Sequence, residues 1–209
     1  MSLLFLSMFA SVVLVIAEET VTANPSTYHK AYYFADADTS AWGTAGTECA
    51  SGDYSNMASS DNSRYYYAYT TSKYNYVRVD FNITKLANAE GFSLTDISNI
   101  NIALEGYGEG TPCGYYCAIY DDTDGLWRTA NSSEINGLFS HTSSSDSTLT
   151  FDVNDSIGDY LSSAGVLKIS SRASYQAHLY IDYIVVTVTY NNVSTPALSR
   201  LQMVRRHRR

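Results

Sequence analysis

From about residue 60 onward, apolar and polar positions alternate along the chain with a period of two. Over 76–83, Val77, Val79, Phe81 and Ile83 alternate with Arg78, Asp80 and Asn82, as in a strand with one buried and one wet face. Residues 99–105 repeat the device, with Ile100, Ile102 and Leu104 inward and Asn99, Asn101 and Glu105 outward. Leu149, Phe151 and Val153 give a third case. Further strands are predicted at 28–34, 64–70, 115–120 and 165–171. The segment 179–190 is apolar on both parities, which predicts a central strand covered on both sides. Within it, Asp182 shares the parity of Ile184, Val186 and Val188. That places it partly buried at the sandwich edge, where it caps a loop or joins an ion site.

No long helical pattern is visible. The best single turn is 156–161, where Ile157, Tyr160 and Leu161 fall at helical spacing. Clusters of Gly, Asn, Asp and Ser at 106–111, 121–125 and 141–147 read as turns between strands. Eight or so strands at this spacing predict an all-β fold, an antiparallel β-sandwich of jelly-roll type. The lack of a fixed repeat argues against a propeller or solenoid.

The N-terminus is apolar for another reason. Residues 3–16 form a nearly unbroken apolar run that gives way after Ala17 to Glu18-Glu19. The run is short for a membrane span, which takes roughly 20 residues, and suits the core of a secretory signal. Val15-Ile16-Ala17 is the first cleavage candidate and Val21-Thr22-Ala23 the second. No Lys or Arg precedes Leu3, so an uncleaved anchor is the alternative. The expected organisation is a signal peptide over 1–17 (or to 23), a β-sandwich domain over 24–191 and a disordered basic tail over 192–209. The expected location is extracellular or at the cell surface.

Charge narrows the partners. Between 24 and 191, 19 acids face 8 bases, which leaves the body near −11. A nucleic-acid partner needs a basic footprint, so that class is disfavoured, as is docking to an anionic membrane surface. The other five bases, Arg200, Arg205, Arg206, Arg208 and Arg209, lie in the final ten residues with no apolar span before them. Export also puts the three cysteines in an oxidising compartment. A structural disulfide from Cys49 to Cys113 or Cys117 is expected, because the spacing from Cys113 to Cys117 matches no zinc pattern. Triplets for N-glycosylation start at Asn82, Asn131, Asn154 and Asn192.

Ile119-Tyr120-Asp121 followed by Gly125-Leu126-Trp127 resembles a hairpin of secreted jelly-roll modules in archaeal and bacterial surface proteins. The stretch from Ile157 to Tyr160, followed by 163–169, resembles the short turn and strand of those modules. Leu179 to Tyr183 resembles their closing strand. The resemblance covers about 95–190, while 28–72 matches poorly. It implies a galactose-binding-like or carbohydrate-binding-like fold. Because such folds host many functions, it carries little weight for the ligand.

Catalytic constellations are thin. There is no Gly-x-Ser-x-Gly elbow, and His29, His141 and His178 sit in separate segments without a fixed relation to a Ser or Cys. Glu105 and Glu109 are the one carboxylate pair to consider for glycoside hydrolysis, and both read as surface or turn residues. No zinc spacing occurs. Structural calcium is the stronger metal expectation, at Asp121, Asp122 and Asp124 in one tight turn, with Asp36 and Asp38 as a second cluster. Turn formation by Asp and Gly accounts for the same residues.

Tyrosine is the oddest feature of the composition, at 19 residues, and Tyr65, Tyr66, Tyr67, Tyr69, Tyr74 and Tyr76 crowd one predicted hairpin. Tyr65, Tyr67 and Tyr69 share a parity and so one face, either an exposed contact face or the core. The resulting expectation is a non-enzymatic structural or adhesive module that associates with itself or with a surface protein. The runner-up is a carbohydrate-binding module that uses the tyrosine hairpin, Trp42 or Trp127 on a glycan.

Overall fold

The computed structural model of the chain describes residues 15–26, 29–68 and 70–194. Most of the predicted signal, Tyr69 and nearly all of the basic tail lie outside the described residues. In chain order the elements are β1 (Val15–Ala23), β2 (Lys30–Asp36), β3 (Thr47–Glu48), α1 (Ser51–Asn56), β4 (Tyr65–Tyr67), β5 (Tyr74–Asn82) and α2 (Ile83–Glu90). There follow β6 (Ile97–Glu109), β7 (Tyr115–Asp121), β8 (Leu126–Arg128), β9 (Ile135–Gly137), β10 (Ser140–His141), β11 (Ser147–Val153), β12 (Val166–Ala173) and β13 (His178–Ser194). A short 3-10 turn at Ile157–Tyr160 falls where helical spacing predicted a single turn.

Two antiparallel sheets pack face to face, so the all-β sandwich expected from the alternation is the fold that forms. The six-stranded sheet runs β1-β13-β6-β11-β9, with β4 also pairing to β13. The seven-stranded sheet runs β10-β7-β12-β5-β2-β3, with β8 also pairing to β7. Inward positions interdigitate between the layers. Val77, Val79 and Phe81 of β5, Leu167 and Ile169 of β12 and Ile119 of β7 meet Ile100, Ile102 and Leu104 of β6, Phe151 of β11 and Val186 and Val188 of β13. Their burial is the main force holding the sheets together.

Three expectations need correcting. The strand predicted over 76–83 ends at Asn82, whose side chain accepts a 2.9 Å hydrogen bond from the Lys85 N–H and so caps α2. Ile83, Leu86 and Ala87 put the apolar stripe of α2 against the sandwich, and Gly91 ends the helix in the left-handed conformation at φ 83°. The strand predicted over 64–70 shrinks to Tyr65–Tyr67. Finally, β13 is central in its sheet but covered on one side only. Tyr183, Val185, Thr187 and Thr189 lie half-exposed on its outer face.

The bare outer face of the six-stranded sheet contrasts with that of the seven-stranded sheet, which the loop over 37–46 partly covers. There Trp42 packs edge-on against Tyr76 at 5.5 Å, and Phe34 stacks on Tyr76 at 4.8 Å.

Candidate functional site

Strand parity sorts the tyrosine hairpin. Tyr65 is buried in the core and Tyr67 packs half-buried against it, so the face these two share is the inner one. Only Tyr66 of that strand projects outward, 48% exposed. It is in register with Tyr180 on β13, which is in register with Tyr107 on β6. The result is a rib of three rings abreast. Tyr107 stacks on Tyr180 at 4.5 Å and 8°, and Tyr66 leans on Tyr180 at 5.0 Å. The Arg64 guanidinium lies 5.6 Å from the centre of the Tyr107 ring. Tyr66 Oη bonds His178 Nδ1 at 2.8 Å, and Tyr180 Oη donates to Glu109 at 2.9 Å. Burial and then the bond to Glu109 push the Tyr180 hydroxyl up to about 12, so it remains a donor at neutral pH. Sequence reasoning missed Tyr107 and Tyr180, whose pairing across strands depends on register.

Beside this rib the six-stranded sheet gathers three carboxylates. The pairing of β13 with β6 slips between Ile181, opposite Gly106, and Tyr183, opposite Glu105, so Asp182 is the extra residue of a bulge. The bulge lets Ile181 and Ile184 both reach the core, which breaks the simple parity expected of Asp182. Gly106 permits the close approach of the strands here, since a Cβ on it would stand 2.3 Å from the Tyr180 carbonyl oxygen. Asp146, just ahead of β11, completes the group. Carboxylate oxygens of Glu105, Asp146 and Asp182 all lie within 4.8 Å of one another. Arg64 pairs with Asp146. Asp182 is 2% exposed, and its Oδ1, like Asp146 Oδ1, is buried without a hydrogen-bond partner.

On the opposite sheet the two tryptophans differ. Trp42 is buried in the core of its loop, and the Arg172 guanidinium lies over its ring and those of Tyr74 and Tyr116 at 5.0, 4.9 and 4.3 Å. Trp127 is half-buried and pairs with Tyr120 across the β7–β8 hairpin, the turn that the sequence resemblance had picked out. Together with Gly43, Gly125, Arg78 and Lys168 they line an open cleft of about 470 Å³. Both cations there have anionic neighbours. Arg78 bonds Asp80 at 2.9 Å, and Lys168 lies 3.6 Å from Asp122.

The aspartates of the β7–β8 turn are engaged within the protein. Asp121 Oδ2 accepts from Arg128 at 2.7 and 3.1 Å, its Oδ1 accepts from the Asp124 N–H at 2.8 Å, and Arg128 also pairs with Asp124. These bonds outweigh burial and hold the Asp121 carboxyl below its usual range. Asp36 and Asp38 likewise close turns, onto the backbone of Asp38 and Ser40. The expected disulfide does not form. All three cysteines are free. Cys117 lies on β7 and Cys49 beyond β2, on the side of β3, with β12, β5 and β2 between them. Four strand spacings are about 19 Å, nearly three times the reach of a disulfide. Cys113 bonds the Thr142 carbonyl instead. Of the glycosylation candidates, Asn131, Asn154 and Asn192 are exposed and Asn82 is half-buried at the α2 cap.

Compared with known proteins, this chain matches no family model and no curated protein.

Proposed function

We propose that this chain is a secreted or cell-surface adhesive module of jelly-roll type, without catalytic activity, that docks a protein partner through the open face of its six-stranded sheet. The simplest such partner is a second copy of itself. The observation that carries the reading is the Tyr66–Tyr180–Tyr107 rib. Its rings are stacked on one another and flanked by Arg64, so their faces are largely taken and little is left for a sugar ring to stack upon. What the rib offers is a rigid aromatic edge with hydroxyl tips on the open face of a sheet, which suits a macromolecular contact.

The test is to change Tyr66 and Tyr180 together to Ser. The variant is expected to keep its fold by circular dichroism while losing at least tenfold in self-association measured by analytical ultracentrifugation, or in attachment to native cell surfaces. Unchanged association and attachment would refute the reading. A second reading, glycan binding, is favoured by the cleft beside Trp127 and Tyr120. It predicts that Trp127→Ala abolishes signal on a glycan array.

A further inference from the structure

We propose that Glu105, Asp146 and Asp182 form a binding site for one divalent cation, calcium, on the outer face of the six-stranded sheet. Their three carboxylates converge from different places: β6, the segment before β11, and the bulge of β13. Each oxygen that faces the others lies within 4.8 Å of both. Arg64 compensates one of the three negative charges, and two remain. A divalent cation closes that balance.

The independent mark of a ligand is Asp182. It is 2% exposed, it sits beside two other carboxylates, and its Oδ1 has no hydrogen-bond donor. A buried carboxylate oxygen without a donor is costly, and protein structures rarely leave one so. Asp146 Oδ1 and Arg64 Nε, buried and equally without partners, belong to the same cluster. A bare ion pair between Arg64 and Asp146 leaves all three atoms unsatisfied, whereas a cation takes up both carboxylate oxygens.

The donor set selects the ion. It contains only hard carboxylate oxygens, which favours calcium or magnesium over zinc or copper. His141, the nearby imidazole, is committed: its Nδ1 accepts from the Ser143 N–H at 3.1 Å and its Nε2 bonds the Gly106 carbonyl at 3.1 Å. The carboxylates come from separate segments rather than an octahedral cage, and Glu105 and Asp146 are partly exposed, leaving room for waters. That arrangement fits the large, irregular shell of calcium better than that of magnesium. It implies affinity of about 10⁻⁴ to 10⁻³ M, as in extracellular calcium modules. The site does not rest on the adhesive reading.

The experiment uses the full chain, freed of metal with EDTA and titrated with CaCl₂. Calorimetry is expected to show one site per chain, and about ten times the dissociation constant of calcium should raise the melting temperature by about 3–6 °C. EDTA should reverse the rise. Asp182→Asn should abolish the calcium-dependent rise, while Asp121→Asn, in the β7–β8 turn, should keep it. Should Asp182→Asn fail to fold, Glu105→Gln, at a half-exposed position, should weaken calcium binding at least tenfold. No calcium binding by the parent chain, a rise that persists in Asp182→Asn, or calcium affinity unchanged in Glu105→Gln would overturn the proposal. Loss of the rise in Asp121→Asn alone would move the site to the turn and overturn it equally.

Discussion

Tyr65 and Tyr66 are neighbours in the chain and have opposite roles, because successive side chains of a strand point to opposite faces. Tyr65 is 6% exposed within the core, so Tyr65→Ser is expected to cost about 3–5 kcal/mol in urea unfolding, as large-to-small core changes do. Tyr66→Ser, on the outer face, should cost under about 1 kcal/mol. Equal losses would mean that the two sides of β4 have been assigned wrongly. The thiols divide similarly. Burial pushes Cys49 up to about 12 and raises Cys117 further, whereas Cys113 is half-exposed. A maleimide should therefore label one thiol quickly in the native protein and three in denaturant. Two histidines give the residue scale a pH dependence. Burial lowers the pKa of His29, with Lys85 adding to it, and burial also lowers that of His141, opposed by the Gly106 carbonyl and Asp146. A folded pKa below the unfolded value of about 6.5 gives stability that is present above pH 6.5 and lost as pH falls through it. The melting temperature should drop between pH 7 and pH 5. The drop should shrink in His29→Asn, whose amide oxygen can replace Nδ1 as acceptor for the Asn82 N–H, 3.1 Å away. A flat profile would contradict this.

At the scale of elements, β1 links the apolar N-terminus to the sandwich. It pairs along the C-terminal half of β13, from Val15 opposite Ser194 to Ala23 opposite Val186. Cleavage after Ala17 would keep Glu18–Ala23 in the sheet, while cleavage after Ala23 would strip β13 of that neighbour and bare an edge open to aggregation. Mass spectrometry of secreted material is thus expected to find Glu18 at the N-terminus, and a start at Asn24 would count against the role of β1. Strands such as β5, β6 and β11 were legible in the sequence because one face is wet and the other dry, so period two survives. The helix α2 was not, since Ile83 continues the alternation of Phe81 and the Asn82 cap leaves no apolar signature. The Tyr66–Tyr180–Tyr107 rib and the carboxylate cluster were illegible for a related reason. Both depend on register, and the bulge at Asp182 shifts the register by one residue, which no pattern within a single strand reveals.

At the scale of the whole molecule, charge separates the two functional readings. A body near −11 repels its own copies, so any self-association must overcome that field. The aromatic rib supplies a contact that is largely apolar and hydrogen-bonding, and salt screens only the repulsion. Self-association through the rib is therefore expected to strengthen as NaCl rises from about 0.05 to 0.5 M, where the screening length falls to a few ångströms. A glycan stacked in the cleft beside Trp127 is expected to bind nearly independently of salt, because Arg78 and Lys168 there are already paired with Asp80 and Asp122. Sedimentation across a salt series is the measurement. Association that grows with salt and is lost in the Tyr66→Ser, Tyr180→Ser double variant would support the adhesive face. Association that weakens with salt would place the contact on charge instead, and would turn attention to the carboxylate-rich surface.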